Sequence, residues 1–226
     1  MIKLTTFTQF EWIQEETNRN KVGFISNVIP NRYHYFCKIL HPIYRDKNIK
    51  DERLLWSQCD PDEEVQFNIG ERLWFKDLAK KYNIEYTNSI SSRDFFRSLG
   101  GYPRYMVFPD EGSMELNEVG KIVSVLQPFT QGEKCYFYYD LLKTVNIDPV
   151  ANGYLYFGDL KDLIDLSKQP HGSATYWWNQ SKTWCLYTDY DLDYSIVGGK
   201  KEVIESLLSD DSLECIEIGS VSILGN

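Results

Sequence analysis

Histidine is scarce in this chain: 226 residues hold only His34, His41 and His171. None stands in an HxxxH or HExxH spacing, which excludes the common helical zinc sites. The cysteines, Cys37, Cys59, Cys135, Cys185 and Cys215, are odd in number, widely separated and without a CxxC pair. That rules out a sequence-legible disulfide framework or zinc ribbon. Runs such as Tyr35-Phe36-Cys37 and Trp184-Cys185-Leu186 read as buried, reduced thiols and suit a reducing compartment. No run approaches the ~18 apolar residues of a membrane span. The opening MIKLTTFTQFEW lacks the roughly 7–15-residue apolar core of a signal peptide. A cytoplasmic location follows by elimination. There is no G-x-S-x-G elbow, no internal repeat and no low-complexity tract. A phosphate-binding loop also fails: around Gly199-Lys200, the required glycine position holds Tyr194 and the Ser/Thr position holds Lys201.

What the chain does have is aromatic side chains, 15% of the total, with 16 Tyr, 12 Phe and 6 Trp. Such side chains fill cores and dominate recognition surfaces. At 226 residues the chain can bury roughly 70% of its unfolded surface, so no metal or disulfide staple is needed. Acidic residues outnumber basic ones 33 to 24, a net charge of −9. This field repels nucleic acid, and no Lys/Arg stripe offsets it. A basic protein partner fits the charge, since an acidic surface speeds encounter with a cation. Net negative charge also serves solubility alone.

The periodicities predict a helix over 6–16, a strand over 33–40 ended by His41-Pro42, and a helix over 71–82. A helix over 92–98 is capped by Ser91 or Ser92 and ended by Gly100-Gly101. The aromatic stretch 102–109 reads as an extended connection. A further helix carries Leu116, Val119, Val123 and Leu126 on one face and stops before Pro128. Strands follow at 135–139, 154–157, 183–188, 192–197 and 214–218, with helices near 160–167 and 200–208. The irregular interspersion predicts an α+β fold, mainly antiparallel sheet with peripheral helices. We read one domain over 1–226, with 100–113 the best place for a boundary.

Three features are candidate binding positions. The Tyr176-Trp177-Trp178 to Trp184 stretch reads as a hairpin with Trp on both arms, able to stack a ligand, anchor a partner or fill the core. Asp189, Asp191 and Asp193 alternate with Tyr190, Leu192 and Tyr194. On a strand the three carboxylates would share one face, as ion ligands or as a wet edge. An EF-hand is excluded, because the glycine position is Tyr194 and the closing glutamate position is Lys200. Gly198, Gly199 and Lys200 could present backbone N–H groups to an anion at a helix start, with His171 assisting, or simply form a strand-to-helix turn. His34 and Cys37 have opposite parity on a strand, which argues against a nucleophile pair. His41, before Pro42, reads as a turn histidine that donates to backbone. No metal site or cofactor is called for.

Several stretches together carry a resemblance. They are Tyr35 to Pro42 with Trp56-Ser57, Gly112-Ser113 leading to Val125-Leu126-Gln127-Pro128, and Trp177-Trp178 through Cys185, Asp189 to Asp193, Val197-Gly198-Gly199 and Leu207-Leu208. This set resembles a family of bacterial hypothetical proteins frequent in actinobacteria, over about residues 30–218. The resemblance brings no catalytic residue. A looser likeness, through the strand-to-helix segment Asp193 to Leu208, is to the SUKH-type immunity and interaction proteins. They too are acidic cytoplasmic α+β domains, and the likeness is one of analogy. Together these readings predict a non-catalytic cytoplasmic binding protein, an immunity or adaptor partner of a basic toxin. The competing expectation is a ligand-binding or catalytic protein whose site is assembled from dispersed residues.

Overall fold

The computed structural model describes residues 1–17, 23–60, 64–148, 152–188, 190–220 and 222. In chain order the elements are β1 (Ile2–Leu4), α1 (Glu11–Glu16), β2 (Tyr35–Leu40), β3 (Ile43–Asp46), β4 (Ile69–Leu73), α2 (Phe75–Tyr82), α3 (Ser92–Leu99) and β5 (Met106–Val107). They continue with α4 (Leu116–Thr130), β6 (Cys135–Tyr139), α5 (Leu141–Thr144), β7 (Tyr154–Gly158), α6 (Asp162–Leu166), β8 (Tyr176–Asn179), β9 (Trp184–Thr188), β10 (Tyr194–Gly199), α7 (Lys201–Leu208) and β11 (Glu214–Ile218). Eight strands form one sheet in the order β1-β7-β6-β8-β9-β10-β2-β11, and β4-β3-β5 form a second. Every strand pair is antiparallel. The fold is α+β and mainly antiparallel, as the pattern of elements predicts.

The large sheet is covered on both faces, which explains its near-continuous apolar strands. Side chains alternate along each strand. On β2, Phe36 and Leu40 join one core with Trp12 of α1, Ile43 and Met106 of the small sheet, Phe75 and Leu78 of α2, and Phe95 of α3. Cys37 and Ile39 enter the opposite core with Val119, Ile122 and Leu126 of α4, Leu163 of α6, and Val203, Ile204 and Leu207 of α7. The hairpin β8–β9 divides its tryptophans by the same rule: Trp178 faces the first core, and Trp177 and Trp184 face the second.

Several boundaries differ from expectation. The predicted helix over 71–82 begins only at Phe75, because Ile69–Leu73 pair with β3. Glu214 fixes that start: its two carboxylate oxygens accept the backbone N–H groups of Phe75 and Lys76, each at 2.8 Å. These are first-turn donors that a helix cannot satisfy internally. Helix α1 is shorter than 6–16, covering Glu11–Glu16, after a threonine-rich turn. Helix α4 does not stop before Pro128 but carries it in its last turn. The carbonyl that loses its donor belongs to exposed Ser124, where water can replace the bond.

Strand β10 runs through Gly198 and Gly199 rather than breaking before them. The glycine is required here by contact, not by a turn. A Cβ on Gly198 would lie 2.6 Å from Ile29 Cγ2 and 2.9 Å from Tyr33 Cδ2. All five cysteines are free, and Cys37, Cys135 and Cys185 are buried. No helix among the described residues is long and apolar enough to cross a membrane.

Candidate functional site

The three tryptophans singled out from sequence are core residues. Trp177, Trp178 and Trp184 are each 0% exposed, so the expectation that they meet a partner is corrected. Rings of this size bury roughly 150–250 Å² apiece, about 4–6 kcal/mol of transfer free energy at ~25 cal/mol per Å². The Trp177 indole N–H donates to the Ala174 carbonyl at 3.1 Å.

The aspartate run is also not a strand face. Residues 190–193 form a turn before β10, and Asp189 lies outside the described residues. Asp191 is exposed, whereas Asp193 is buried. Among the described residues no group of three or more His, Cys, Asp or Glu could hold a metal ion.

Gly198 and Gly199 sit in the ladder between β2 and β9. The Lys200 N–H donates to the Thr183 carbonyl at 3.2 Å, so the expected nest of free donors is not formed. Gly199 and Lys200 border a shallow basic cavity with Arg32, Lys182 and Lys201. Two of its four cations are paired: Arg32 with Glu16, and Lys201 with Glu205 at 3.4 Å. His171 lines a different cavity, so the structure does not bring it to these glycines.

What the fold does assemble is a cleft of about 360 Å³ lined by Trp56, Phe67, Tyr102, Phe108, Asp110, Glu111 and Asp193. Its walls are set by backbone pairing between distant segments. The Trp56 N–H donates to the Tyr102 carbonyl at 3.0 Å, and the Arg104 N–H to the Leu54 carbonyl at 2.8 Å. Tyr102 packs against Phe108 at 4.9 Å between ring centres, and Trp56 against Phe67 at 6.1 Å. The acidic rim is placed by the Gly112 N–H, which donates to the Leu192 carbonyl at 3.1 Å. Gly112 has φ +75°, and a Cβ there would strike the Tyr190 backbone.

Below the aromatic wall, the buried Arg104 guanidinium lies 4.2 Å over the Trp56 ring and ion-pairs with Asp46 at 2.9 Å. Burial works against the Asp46 charge. Hydrogen bonds from Asn48, Arg104 and Asn68 outweigh it and hold the carboxyl below its ordinary range. Because Asp46 neutralises Arg104, the exposed carboxylates Asp110 and Glu111 leave the rim of the cleft with a negative field.

Asp193 is the floor of this cleft, at 7% exposure. Its carboxylate accepts the Ser92 N–H at the start of α3. Behind it, Lys38 donates to the Ile90 carbonyl and sits 4.0 Å over the Tyr194 ring. Burial pulls the Lys38 ammonium down to about 8, with Asp193 and Asp94 opposing.

A second constellation joins residues that sequence spacing cannot relate. His41 Nε2 is 2.9 Å from Ser195 Oγ, which is 2.8 Å from Thr188 Oγ1. A hydroxyl beside an imidazole is the contact a nucleophile and base make. Here His41 is 1% exposed, and Ser195 and Thr188 are 0%, so the trio ties the segment just after β2 to β9 and β10 beneath the surface. Burial pushes His41 down to about 4, against the Asp193 charge and aided by Lys143 and Arg72. The expectation of a turn histidine that donates to backbone is thus corrected: its ring contacts a side-chain hydroxyl.

Of the residues lining the cleft, sequence reading singled out Asp193 alone as a candidate binding position. The missed signal is the order Tyr102, Phe108, Asp110-Glu111: aromatic rings followed at once by acids in an extended segment. No family model, curated protein or solved structure matches the chain.

Proposed function

We propose that this chain is a non-catalytic binding protein whose aromatic, carboxylate-rimmed cleft receives a cationic side chain of a basic protein partner. The observation that carries the reading is four aromatic rings and three carboxylates bordering one cleft, with no cationic side chain among the described residues that line it. Aromatic faces attract an ammonium or guanidinium through their quadrupole, and Asp110 and Glu111 at the exposed rim add charge complementarity. Arg104 over Trp56, paired with Asp46, is the same chemistry made within the chain. The net charge of −9 steers a basic partner towards this surface. In biological terms the reading is an adaptor or immunity role in a bacterial cytoplasm, with a basic toxin as partner.

The test is calorimetric titration of the protein with an Arg/Lys-rich peptide and an Asp/Glu-rich peptide of equal length, in low salt and at 0.15 M, roughly a physiological ionic strength. The basic peptide binds, the acidic one does not, and D110N/E111Q weakens binding on the order of ten-fold. Equal binding of both peptides, or a double variant that binds like the wild type, overturns the reading.

A further inference from the structure

A cavity of about 220 Å³, which shares Glu111 with the aromatic cleft, is lined further by Lys143, His171, Tyr190, Asn146 and Ser113. We propose that it is a small-carbonyl site in which the Lys143 amine captures an aldehyde as an imine.

The Lys143 Nζ donates to two carbonyls among the described residues, those of Gly112 and of Ser173, the latter at 2.8 Å. It forms no ion pair with a described carboxylate. Asp140, the nearest acid on its own turn, accepts the Lys143 backbone N–H instead, at 3.1 Å. A neutral amine keeps both of these bonds with its two N–H groups and has a lone pair left over.

The surroundings favour that neutral form. Burial lowers Lys143 to about 8, and Asp140 only partly opposes it. Among the described residues, the other titratable groups around it are His171, Glu111 and Tyr190 on the cavity wall and His41 in the interior, whose titration registers the Lys143 charge. His171 is itself lowered, by burial first and then by Lys143 and Lys3. Its Nε2 is buried without a hydrogen-bond partner among the described residues.

Desolvation of a lysine in this manner is how amines are activated for imine chemistry. The amine lone pair forms a C–N bond to the carbonyl carbon, the carbonyl π pair moves to oxygen, and one proton passes from the nitrogen to that oxygen. The resulting carbinolamine loses its hydroxyl and one nitrogen-bound hydrogen as water, leaving C=N. No oxidant or reductant takes part. The cavity is smaller than the roughly 300–1,000 Å³ of sites for drug-sized ligands, so the carbonyl compound is a small one. Lys38 provides the contrast: it is also lowered to about 8, but it is 4% exposed and lines none of the cavities described here.

The experiment uses the intact wild-type protein, so no variant has to fold. Benzaldehyde and butanal are added separately with cyanoborohydride, which fixes any imine, and peptide mass spectrometry reads each amine. At pH 7, Lys143 is modified on the order of ten-fold faster than exposed Lys50 and Lys80, and Lys38 stays unmodified. The Lys143 rate rises with pH to a plateau above about 8. The N-terminal amine, also reactive near neutrality, is resolved on its own peptide. Labelling of Lys143 no faster than Lys50 and Lys80, or a rate still climbing past pH 10, roughly the ordinary lysine range, overturns the proposal.

Discussion

The Asp193 carboxylate accepts the backbone N–H of Ser92 at 3.0 Å, across 101 residues of chain. One residue thus joins the start of β10 to the first turn of α3, where an anion is favoured by the unpaired donors and the helix dipole. It also faces the buried Lys38 ammonium, whose pKa it raises.

This bond predicts the response to substitution. Asp193→Ala removes the acceptor and leaves Lys38 short of countercharge, a loss of about 1–3 kcal/mol. Asp193→Asn keeps an acceptor oxygen and loses only the charge, so its loss is smaller. Urea unfolding midpoints of the two variants check the order. Equal losses would show that the charge alone matters.

Gly198 and Gly199 are neighbours that respond differently to an added methyl group. A Cβ at Gly198 meets Ile29 and Tyr33 at 2.6 and 2.9 Å, inside any relaxed contact. At Gly199 the nearest atom is Trp184 Cβ at 3.3 Å. Gly198→Ala therefore destabilises by about 1–3 kcal/mol through overpacking. Gly199→Ala costs under about 1 kcal/mol, because the backbone is already extended and alanine loses less entropy on folding. Thermal unfolding of both variants measures the gap, and equal melting temperatures would refute the steric account.

The contrast shows what sequence could and could not reveal. Strand β11, over Glu214–Ile218, and helix α7, with Val203, Ile204 and Leu207 inward, carry clear periods and stand where the pattern puts them. Strand β4 was hidden because Leu73, Leu78, Ala79 and Tyr82 mimic one helical stripe. Only pairing with β3 and the Glu214 cap, a contact 139 residues away in chain for Phe75, divide it. Trp177, Trp178 and Trp184 were ambiguous for another reason: a sheet buried on both faces erases the alternation that separates wet from dry. The cleft was illegible because Trp56, Phe67, Ser92, Tyr102 and Asp193 come from separate segments joined by backbone pairing. Spacing encodes neighbours on one element, not partners across several.

Phe67 isolates the aromatic part of the cleft. Phe67 is 46% exposed, and its ring packs on Trp56 and lies 5.5 Å from the Arg104 guanidinium, so Phe67→Ala costs about 1 kcal/mol or less of stability, read from the urea midpoint. Losing one partly solvated cation–π wall, worth about 0.5–1 kcal/mol, weakens a bound Arg/Lys peptide by about two- to five-fold. Calorimetry against the basic peptide checks this. Unchanged affinity would assign binding to the rim carboxylates alone.

His41 predicts an acid limb in stability. Its folded-state pKa is lowered to about 4 from 6.5, chiefly by burial. Between those values the unfolded chain holds more protons than the folded one, so stability rises with pH across this window and is lost as the solution is acidified through it. Below about 4 both states are protonated and the loss is complete. At about 1.4 kcal/mol per pH unit the full span is on the order of 3 kcal/mol. His41→Asn keeps a polar group beside Ser195 but cannot titrate there. Its urea midpoint therefore falls less steeply from pH 6.5 to 4 than the wild type's, although it is the less stable protein at pH 7. The carboxylates that titrate in the same range are common to both proteins and cancel in the difference. Parallel pH profiles would show that the imidazole is not held neutral by its burial.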